Sequence, residues 1–151
     1  MVRSFVGHPL KLCRPVMFVR SMSRQLRCSG LQSVINNGFV ELSDLAALDN
    51  FLAQSNGDPV IIFKHSDSCG ISARAYTQMS GLDRPVGLVT VQTARAVSDE
   101  LEKRMGLAHE TPQVMIVHNG QVAWTASHGY VKAAAVEAEL QKLALHAEGV
   151  K

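Results

Sequence analysis

Hydrophobic residues from about position 39 onward follow two patterns that alternate along the chain. Continuous apolar runs rich in β-branched residues indicate strands that are buried on both faces. These runs occupy residues 60–63, 86–91 and 114–117. Between the runs, apolar residues recur every three or four positions, which is typical of helices with one buried face. The helical stretches are 43–54, 71–81 and 97–105.

Further signals complete this pattern at both ends. A short apolar stretch at 39–42 predicts a first strand, and Asn119-Gly120 between two strand patterns is a strong hairpin signal. An alanine- and leucine-rich stretch over 131–145 predicts a closing helix. The predicted order is β-α-β-α-β-α-β-β-α, with a central mixed sheet flanked by helices. This is the element order of a thioredoxin fold, so we expect an α/β thioredoxin-like domain over residues 39–148.

Basic residues are concentrated in front of this domain. Residues 1–40 contain no acidic side chain, although the net charge of the whole chain is only +2. The basic residues of this stretch are Arg3, Lys11, Arg14, Arg20, Arg24 and Arg27. We therefore expect residues 1–38 to be a disordered basic extension, either a targeting segment or a stretch that precedes a start at Met17 or Met22. The rest of the chain is acidic on balance, so no nucleic-acid partner is expected.

Composition also limits the environment of the protein and its cofactors. No stretch approaches the roughly 18 apolar residues of a membrane-spanning helix, so no membrane contact is expected. Three cysteines, an odd number with irregular spacing, do not make a disulfide framework, which favours a reducing compartment and a cytoplasmic protein. No His/Cys/Asp spacing resembles a zinc site and no glycine-rich phosphate loop is present, so no bound metal or cofactor is expected.

Cys69 falls where the second predicted strand gives way to a helix. Backbone N–H groups and the dipole at a helix N-terminus stabilise a thiolate over a thiol. Lys64 and His65 precede the cysteine, and we expect them to stabilise the thiolate or bind substrate, although His65 fits a solvated loop position equally well. Ser68 and Gly70 are likewise expected to stabilise the thiolate or bind substrate. These polar flanks favour a reactive cysteine over the alternative, a small buried hydrophobic one.

A proline stands just before the strand at 114–117, within the segment His109–Gln113. Proline cannot donate to a sheet ladder, so it belongs at the beginning of a strand. In a thioredoxin fold, the proline at this place is commonly cis and faces the cysteine. We therefore expect a cis Pro112, with the backbone of Thr111 available to hydrogen-bond the peptide-like arms of a bound thiol. An ordinary trans loop proline is the alternative.

Four segments in order along the chain resemble the monothiol bacilliredoxins, thioredoxin-fold proteins of the bacillithiol system. They are 59–75 (PVIIFKHSDSCGISARA), 91–95 (VQTAR), 109–113 (HETPQ) and 119–128 (NGQVAWTASH). The resemblance implies that Cys69 attacks a mixed disulfide between a client protein and bacillithiol, takes the small thiol onto itself and frees the client. It also implies that Pro112 is the cis-proline of the fold.

One departure from the family pattern lies beside the cysteine. The family usually has Thr-Cys-Pro-Ile-Ser, whereas residues 68–72 of this chain read Ser-Cys-Gly-Ile-Ser. Glycine frees the first helical turn that proline would fix, which bears on thiolate stabilisation. The sequence Cys-Gly-Ile-Ser also resembles the Cys-Gly-Phe-Ser of monothiol glutaredoxins, which share a [2Fe–2S] cluster between two subunits using glutathione. Those proteins have a Gly-Gly segment after the hairpin, and residues 124–128 (WTASH) replace it here.

A loop with one cysteine does not readily close an internal disulfide. The leading hypothesis is therefore a thiol–disulfide oxidoreductase in which Cys69 forms a mixed disulfide and an outside thiol or reductase resets it. The expected partners are client proteins with mixed disulfides and a low-molecular-weight thiol, with bacillithiol bound only transiently. A glutaredoxin-like cluster-binding protein is one alternative. A binding module with an inert cysteine and a docking groove beside Pro112 is the other.

Overall fold

The hydrophobic pattern folds into alternating strands and helices, as a computed structural model of the protein shows for residues 35–36 and 38–148. The strands are β1 (Ile35–Asn36), β2 (Phe39–Glu41), β3 (Val60–His65), β4 (Val86–Thr90), β5 (Gln113–His118) and β6 (Gln121–Ser127). The α-helices are α1 (Leu45–Ala53), α2 (Gly70–Met79), α3 (Arg95–Met105) and α4 (Ala133–Glu148). Short 3₁₀ turns lie at Gln54–Asn56 and His128–Tyr130. None of the helices among these residues is long and apolar enough to span a membrane.

The described strands form one mixed sheet in the order β1-β2-β4-β3-β5-β6. Strands β2, β4 and β3 are parallel to one another, whereas β5 is antiparallel to β3 and β6 is antiparallel to β5. Asn119 and Gly120 connect β5 to β6 with φ angles of 52° and 73°. Two successive positive φ angles are what a tight hairpin turn requires. The predicted thioredoxin fold, with its mixed sheet and closing hairpin, is confirmed.

Strand β3 lies in the middle of the sheet and separates two hydrophobic cores. Ile61 and Phe63 belong to the core beneath α2 and α4. Their neighbours Val60 and Ile62 belong to the core beneath α1 and α3. All four side chains are buried, as expected for a central strand packed on both faces.

The pairing of β3 brings two loops to the same end of the sheet. Strand β3 is antiparallel to β5, with Lys64 opposite Gln113. The loop that leads from β3 to Cys69 therefore lies at the same sheet end as the segment that finishes at Pro112. Side chains alternate along a strand, so Lys64 lies on the α1 and α3 face and His65 on the α2 and α4 face.

The N-terminal edge of the sheet contains a strand that the sequence pattern did not predict. Strand β1 is antiparallel to β2, with Ile35 opposite Val40. A strand of two residues is too short to leave a hydrophobic period in the sequence, so pattern analysis placed residues 35–36 in the basic extension. The earlier part of that extension, with Cys13 and Cys28, lies outside the described residues.

Candidate active site

Cys69 is a free cysteine and forms the N-cap of α2. Its backbone is extended (φ −117°, ψ 119°), and its carbonyl accepts the N–H of Ala73 at 3.0 Å. The N–H of Cys69 donates to the carbonyl of Ser66 at 3.4 Å, which closes the loop between β3 and α2. The side chain is half-buried at the start of a helix, where the hydrophobic pattern had placed it.

The first turn of α2 lowers the pKa of the Cys69 thiol. The main cause is a hydrogen bond from the backbone N–H of Ser72, followed by one from the N–H of Ile71. Partial burial of the sulfur acts in the opposite direction and is outweighed, and the Ser72 hydroxyl lowers the pKa slightly further. Uncharged donors that favour an anion are the effect expected at a helix N-terminus.

Gly70 is the first residue of α2, where the family usually has proline. A Cβ atom built on Gly70 would meet no other atom within 4 Å. Packing therefore does not require glycine at this position. The departure from the family pattern changes the freedom of the backbone next to the thiol, since glycine fixes neither φ nor ψ.

Gln92, two residues beyond β4, holds the loop in front of Cys69. Its amide nitrogen donates to the hydroxyls of Ser66 at 2.7 Å and Ser68 at 3.2 Å. Its amide oxygen accepts the N–H of Asp67 at 3.3 Å. Ser66 in turn donates its N–H to Oγ of Ser72 at 3.3 Å. Ser68 thus takes part in a network that fixes the loop, and any contact of Ser68 with substrate stays a prediction.

Residue-by-residue analysis assigned no role to Gln92 or Ser72. A signal for Gln92 was available, because it is the first long polar side chain after the buried run 86–91. Residues that follow neighbouring parallel strands come together at one edge of a sheet. Ser72 carries a weaker signal, since a serine in the first turn of a helix is common at ordinary helix starts.

His65 packs its ring beneath α2. Its ring centroid lies 5.1 Å from that of Tyr76 and 5.8 Å from that of Phe63. Nε2 lies 3.3 Å from Oδ1 of Asp67, whereas Nδ1 is buried with no hydrogen-bond partner among the residues described. Burial lowers the pKa of His65, and Asp67 offsets this only in part. The lowered pKa favours the neutral imidazole near pH 7, and a role of His65 toward the thiolate or substrate stays a prediction.

Lys64 is buried, with 1% of its surface exposed. Its ammonium nitrogen lies 3.2 Å from Nδ1 of His109, which is also 3.2 Å from Oγ of Ser98 on α3. Burial lowers the pKa of Lys64, and the charge of Glu102 raises it to a smaller extent. The contact with His109 ties β3 to the segment that leads to Pro112. A role of Lys64 toward the thiolate or a bound substrate stays a prediction.

The peptide bond between Thr111 and Pro112 is cis, as the sequence analysis expected. Pro112 is buried just before β5, and its carbonyl accepts the N–H of His128 at 2.8 Å. His128 has a φ of 53°, and its Nε2 lies 3.9 Å from Oε1 of Glu110. These contacts join the segment before β5 to the turn after β6. Hydrogen bonding of Thr111 to a bound thiol stays a prediction.

The arrangement supports thiol chemistry. A thiol with a lowered pKa supplies more thiolate, which is the species that attacks disulfides. Cys69 is the one cysteine within residues 38–148, so no internal disulfide forms in that part of the chain. The same part of the chain has no group of three His, Cys, Asp or Glu side chains arranged to hold a metal ion. Fold and site together define a thioredoxin-fold thiol–disulfide oxidoreductase with one reactive cysteine.

Comparison with protein families identifies the group within this class. Residues 40–136 match the family described as monothiol bacilliredoxin BrxC. The chain therefore belongs to the monothiol bacilliredoxin family. This match confirms the resemblance carried by the four sequence segments, and it includes both Cys69 and Pro112.

Solved structures agree with the fold. A protein described as a candidate oxidoreductase with a thioredoxin fold has 27% identity and a TM-score of 0.63, over 68% of this chain and 93% of that one. Thioredoxin from Fasciola hepatica has 11% identity and a TM-score of 0.56, over 68% and 96% of the two chains. Mitochondrial thioredoxin 3 from Saccharomyces cerevisiae has 18% identity and a TM-score of 0.53, over 68% and 92%.

Proposed function

We propose that the protein removes bacillithiol, or a similar small thiol, from mixed disulfides on client proteins through Cys69. The observation that carries this proposal is the position of the cysteine. A half-buried thiol with a lowered pKa caps α2 in a loop that contains no second cysteine. Membership in the monothiol bacilliredoxin family supports bacillithiol as the small thiol and ranks this reading above a glutaredoxin-like cluster protein.

The proposed exchange is a single displacement at sulfur. The Cys69 thiolate attacks the sulfur of the small thiol within the mixed disulfide. A new bond forms between Cys69 and that sulfur, the bond to the client sulfur breaks, and the client leaves as a thiolate that takes up a proton from water. The client cysteine is reduced, Cys69 is oxidised to a mixed disulfide, and no other electron donor is needed for this step.

Resetting Cys69 requires a reductant from outside the domain. A second small thiol or a reductase attacks the sulfur bound to Cys69, expels the Cys69 thiolate and leaves as a disulfide with the first thiol. Bacillithiol is thus a transient partner in our proposal. We place the reaction in the cytoplasm, because a reducing compartment maintains the thiol supply that the reset consumes.

A transfer assay tests this function. A client protein that carries a bacillithiol mixed disulfide is mixed with the reduced protein, and intact masses are followed over time. We expect the client to lose the mass of bacillithiol and the protein to gain it on Cys69. Cys69→Ser should abolish transfer, whereas Cys13→Ser combined with Cys28→Ser should leave it intact.

The same assay distinguishes the alternatives. A client with a glutathione mixed disulfide should react more slowly than one with bacillithiol. Faster reaction with glutathione, together with an iron–sulfur chromophore in protein purified without oxygen, would favour the glutaredoxin-like reading. No transfer from either client would contradict the exchange function and leave the binding module with an inert cysteine.

A further inference from the structure

A groove on the α2 side of the molecule opens beside Cys69. It is enclosed by α2 on one side and by the turn between β6 and α4 on the other, and it encloses about 470 Å³. That volume lies within the range typical of small-molecule sites. Its lining includes Ile71, Arg74, His128 and Lys132.

Both walls of the groove are attached to the active site. Ile71 is the second residue after Cys69, its N–H bonds the sulfur, and its side chain is 50% exposed. On the opposite wall, the N–H of His128 donates to the carbonyl of Pro112. The groove therefore lies between the helix that begins at the cysteine and the turn bonded to the cis-proline. The groove thus begins at the same helical turn that bonds the Cys69 sulfur.

The groove has a basic lining. Arg74 on α2 and Lys132 just before α4 are both exposed, and His128 stands on the same wall as Lys132. The carboxylate of Glu110 lies 3.9 Å from Nε2 of His128. Within the described part of the chain, neither Arg74 nor Lys132 forms an ion pair. Two unpaired cations in one groove favour an anionic ligand.

Two other cavities suit such a ligand less well. One of about 410 Å³ is lined by His65 and Asp67, which offer a neutral imidazole and a carboxylate. Another of about 780 Å³ is lined by Pro59 and Val60 at the start of β3, the end of the strand away from Cys69. The groove beside Ile71 combines nearness to the thiol with a positive lining.

We propose that this groove is an anion subsite that holds the carboxylates of the small thiol while its sulfur reacts with Cys69. Arg74 and Lys132 supply the charge, and the ligand class is an acidic low-molecular-weight thiol. The inference rests on the proposed function, since the thiol arrives as the mixed-disulfide partner of Cys69. Bacillithiol and glutathione both carry two carboxylates, so both belong to this class.

The test varies the charge of the transferred thiol and the charge of the groove independently. A reporter peptide is prepared as mixed disulfides with bacillithiol, glutathione, mercaptosuccinate and neutral 2-mercaptoethanol. Second-order transfer rates are measured for the full chain and for the double variant Arg74→Gln with Lys132→Gln. The matched control is Arg84→Gln with Lys103→Gln, which removes the same charge from exposed positions outside the groove.

We expect the groove variant to slow transfer of the three thiols that carry two carboxylates about tenfold, because each exposed charge pair contributes up to a few-fold. Transfer of 2-mercaptoethanol should change less than twofold, and the control variant should match the unmodified protein with every substrate. Added salt should reduce the advantage of the unmodified protein. A larger loss of transfer rate with bacillithiol or glutathione than with mercaptosuccinate would support the subsite. It would also indicate that the groove contacts the rest of the thiol.

Failure of the subsite and failure of the function give different results. If the groove variant slows 2-mercaptoethanol and the dicarboxylate thiols equally, or if the control variant has the same effect, the subsite is wrong while exchange at Cys69 stands. If no mixed disulfide transfers its thiol to Cys69 in the unmodified protein, the exchange function itself is wrong.

Discussion

The thiol at the start of α2 and the two basic residues at the end of β3 lie close in sequence, but their surroundings have opposite effects on ionisation. At Cys69, backbone N–H groups lower the pKa and favour the ionised form. At Lys64 and His65, burial lowers the pKa and disfavours the ionised form. The first turn of α2 therefore favours the thiolate through its peptide N–H groups, while Lys64 contacts His109 and His65 contacts Tyr76 within the fold.

Strand geometry explains this difference. Consecutive residues of β3 lie on opposite faces of the sheet, so Lys64 contacts His109 near α3 and His65 contacts Tyr76 on α2. The loop then turns, and the next helix presents its free N–H groups to Cys69. Sequence distance to a cysteine is thus a poor guide to the charge that the sulfur experiences.

The largest expected effect is that of Ser72→Ala, which removes a hydroxyl group that stabilises the loop and the thiolate at the start of α2. The Ser72 hydroxyl accepts the N–H of Ser66 and also lowers the pKa of Cys69. Leaving that N–H without its partner should reduce the free energy of unfolding by about 2 kcal/mol. The pH midpoint of iodoacetamide alkylation should rise, in a background with Cys13→Ser and Cys28→Ser.

Urea unfolding and alkylation rates measured against pH check both parts of this prediction. Ser80→Ala, at the other end of α2, is the matched control, because its hydroxyl bonds only the carbonyl of Thr77. An alkylation midpoint at or above about 8.5 in the protein with its serine intact would mean that α2 does not activate the thiol.

The next largest effect is expected from Lys64→Met, which removes the buried ammonium group at the end of β3. Replacing a buried charge by an apolar side chain of similar length should raise the free energy of unfolding by about 1 kcal/mol at pH 7. Because the folded-state pKa lies below 10.5, the cost of the ammonium is full below that folded value and fades as pH approaches 10.5. The gain should therefore shrink with rising pH.

The alkylation midpoint of Cys69 should not move in the Lys64→Met variant. Lys103→Met, at an exposed position on α3, controls for loss of net charge. A rise in the midpoint that is specific to Lys64→Met would show that the ammonium stabilises the thiolate after all, and would break the contrast between the two regions.

A third effect concerns acid stability and tests whether His65 is a neutral side chain. Its pKa is lowered in the folded state, so the unfolded chain binds the proton first as pH falls below about 6.5. The unmodified protein should lose stability below that pH, by at most about 1.4 kcal/mol per pH unit from this residue. His65→Gln should flatten this loss in thermal unfolding from pH 7 to pH 5, whereas exposed His146→Gln should not.

Most of the fold was predictable because its hydrophobic runs are long and their periods are unambiguous. The buried run 60–63 predicted β3, and the Asn-Gly dipeptide predicted the hairpin. Cys69 was likewise predictable, since a strand followed by a helix leaves few places for a polar loop. Strand β1 was not predictable, because a two-residue edge strand depends on its partner β2 and has no pattern of its own.

The surroundings of Cys69 were harder to predict, because they depend on pairings distant in sequence. Gln92 reaches the loop only because β4 pairs in parallel with β3. Lys64 was expected to stabilise the thiolate or bind substrate, and only the pairing of β3 with β5 explains its contact with His109. A sequence shows that such residues are polar and near the site, but the sheet decides which partner each one meets.

The polar residues Lys64 and His65 at the end of β3 also distinguish the native strand register from a register shifted by one residue. The run 60–63 is uniformly apolar, so a slip of one residue would still bury aliphatic side chains on both faces. Such a slip would reverse the faces of Lys64 and His65 and separate the Lys64 ammonium from His109. The ammonium would then be buried without that partner, at a cost of several kcal/mol. Apart from any role at the active site, Lys64 therefore helps to specify the alignment of the central strand.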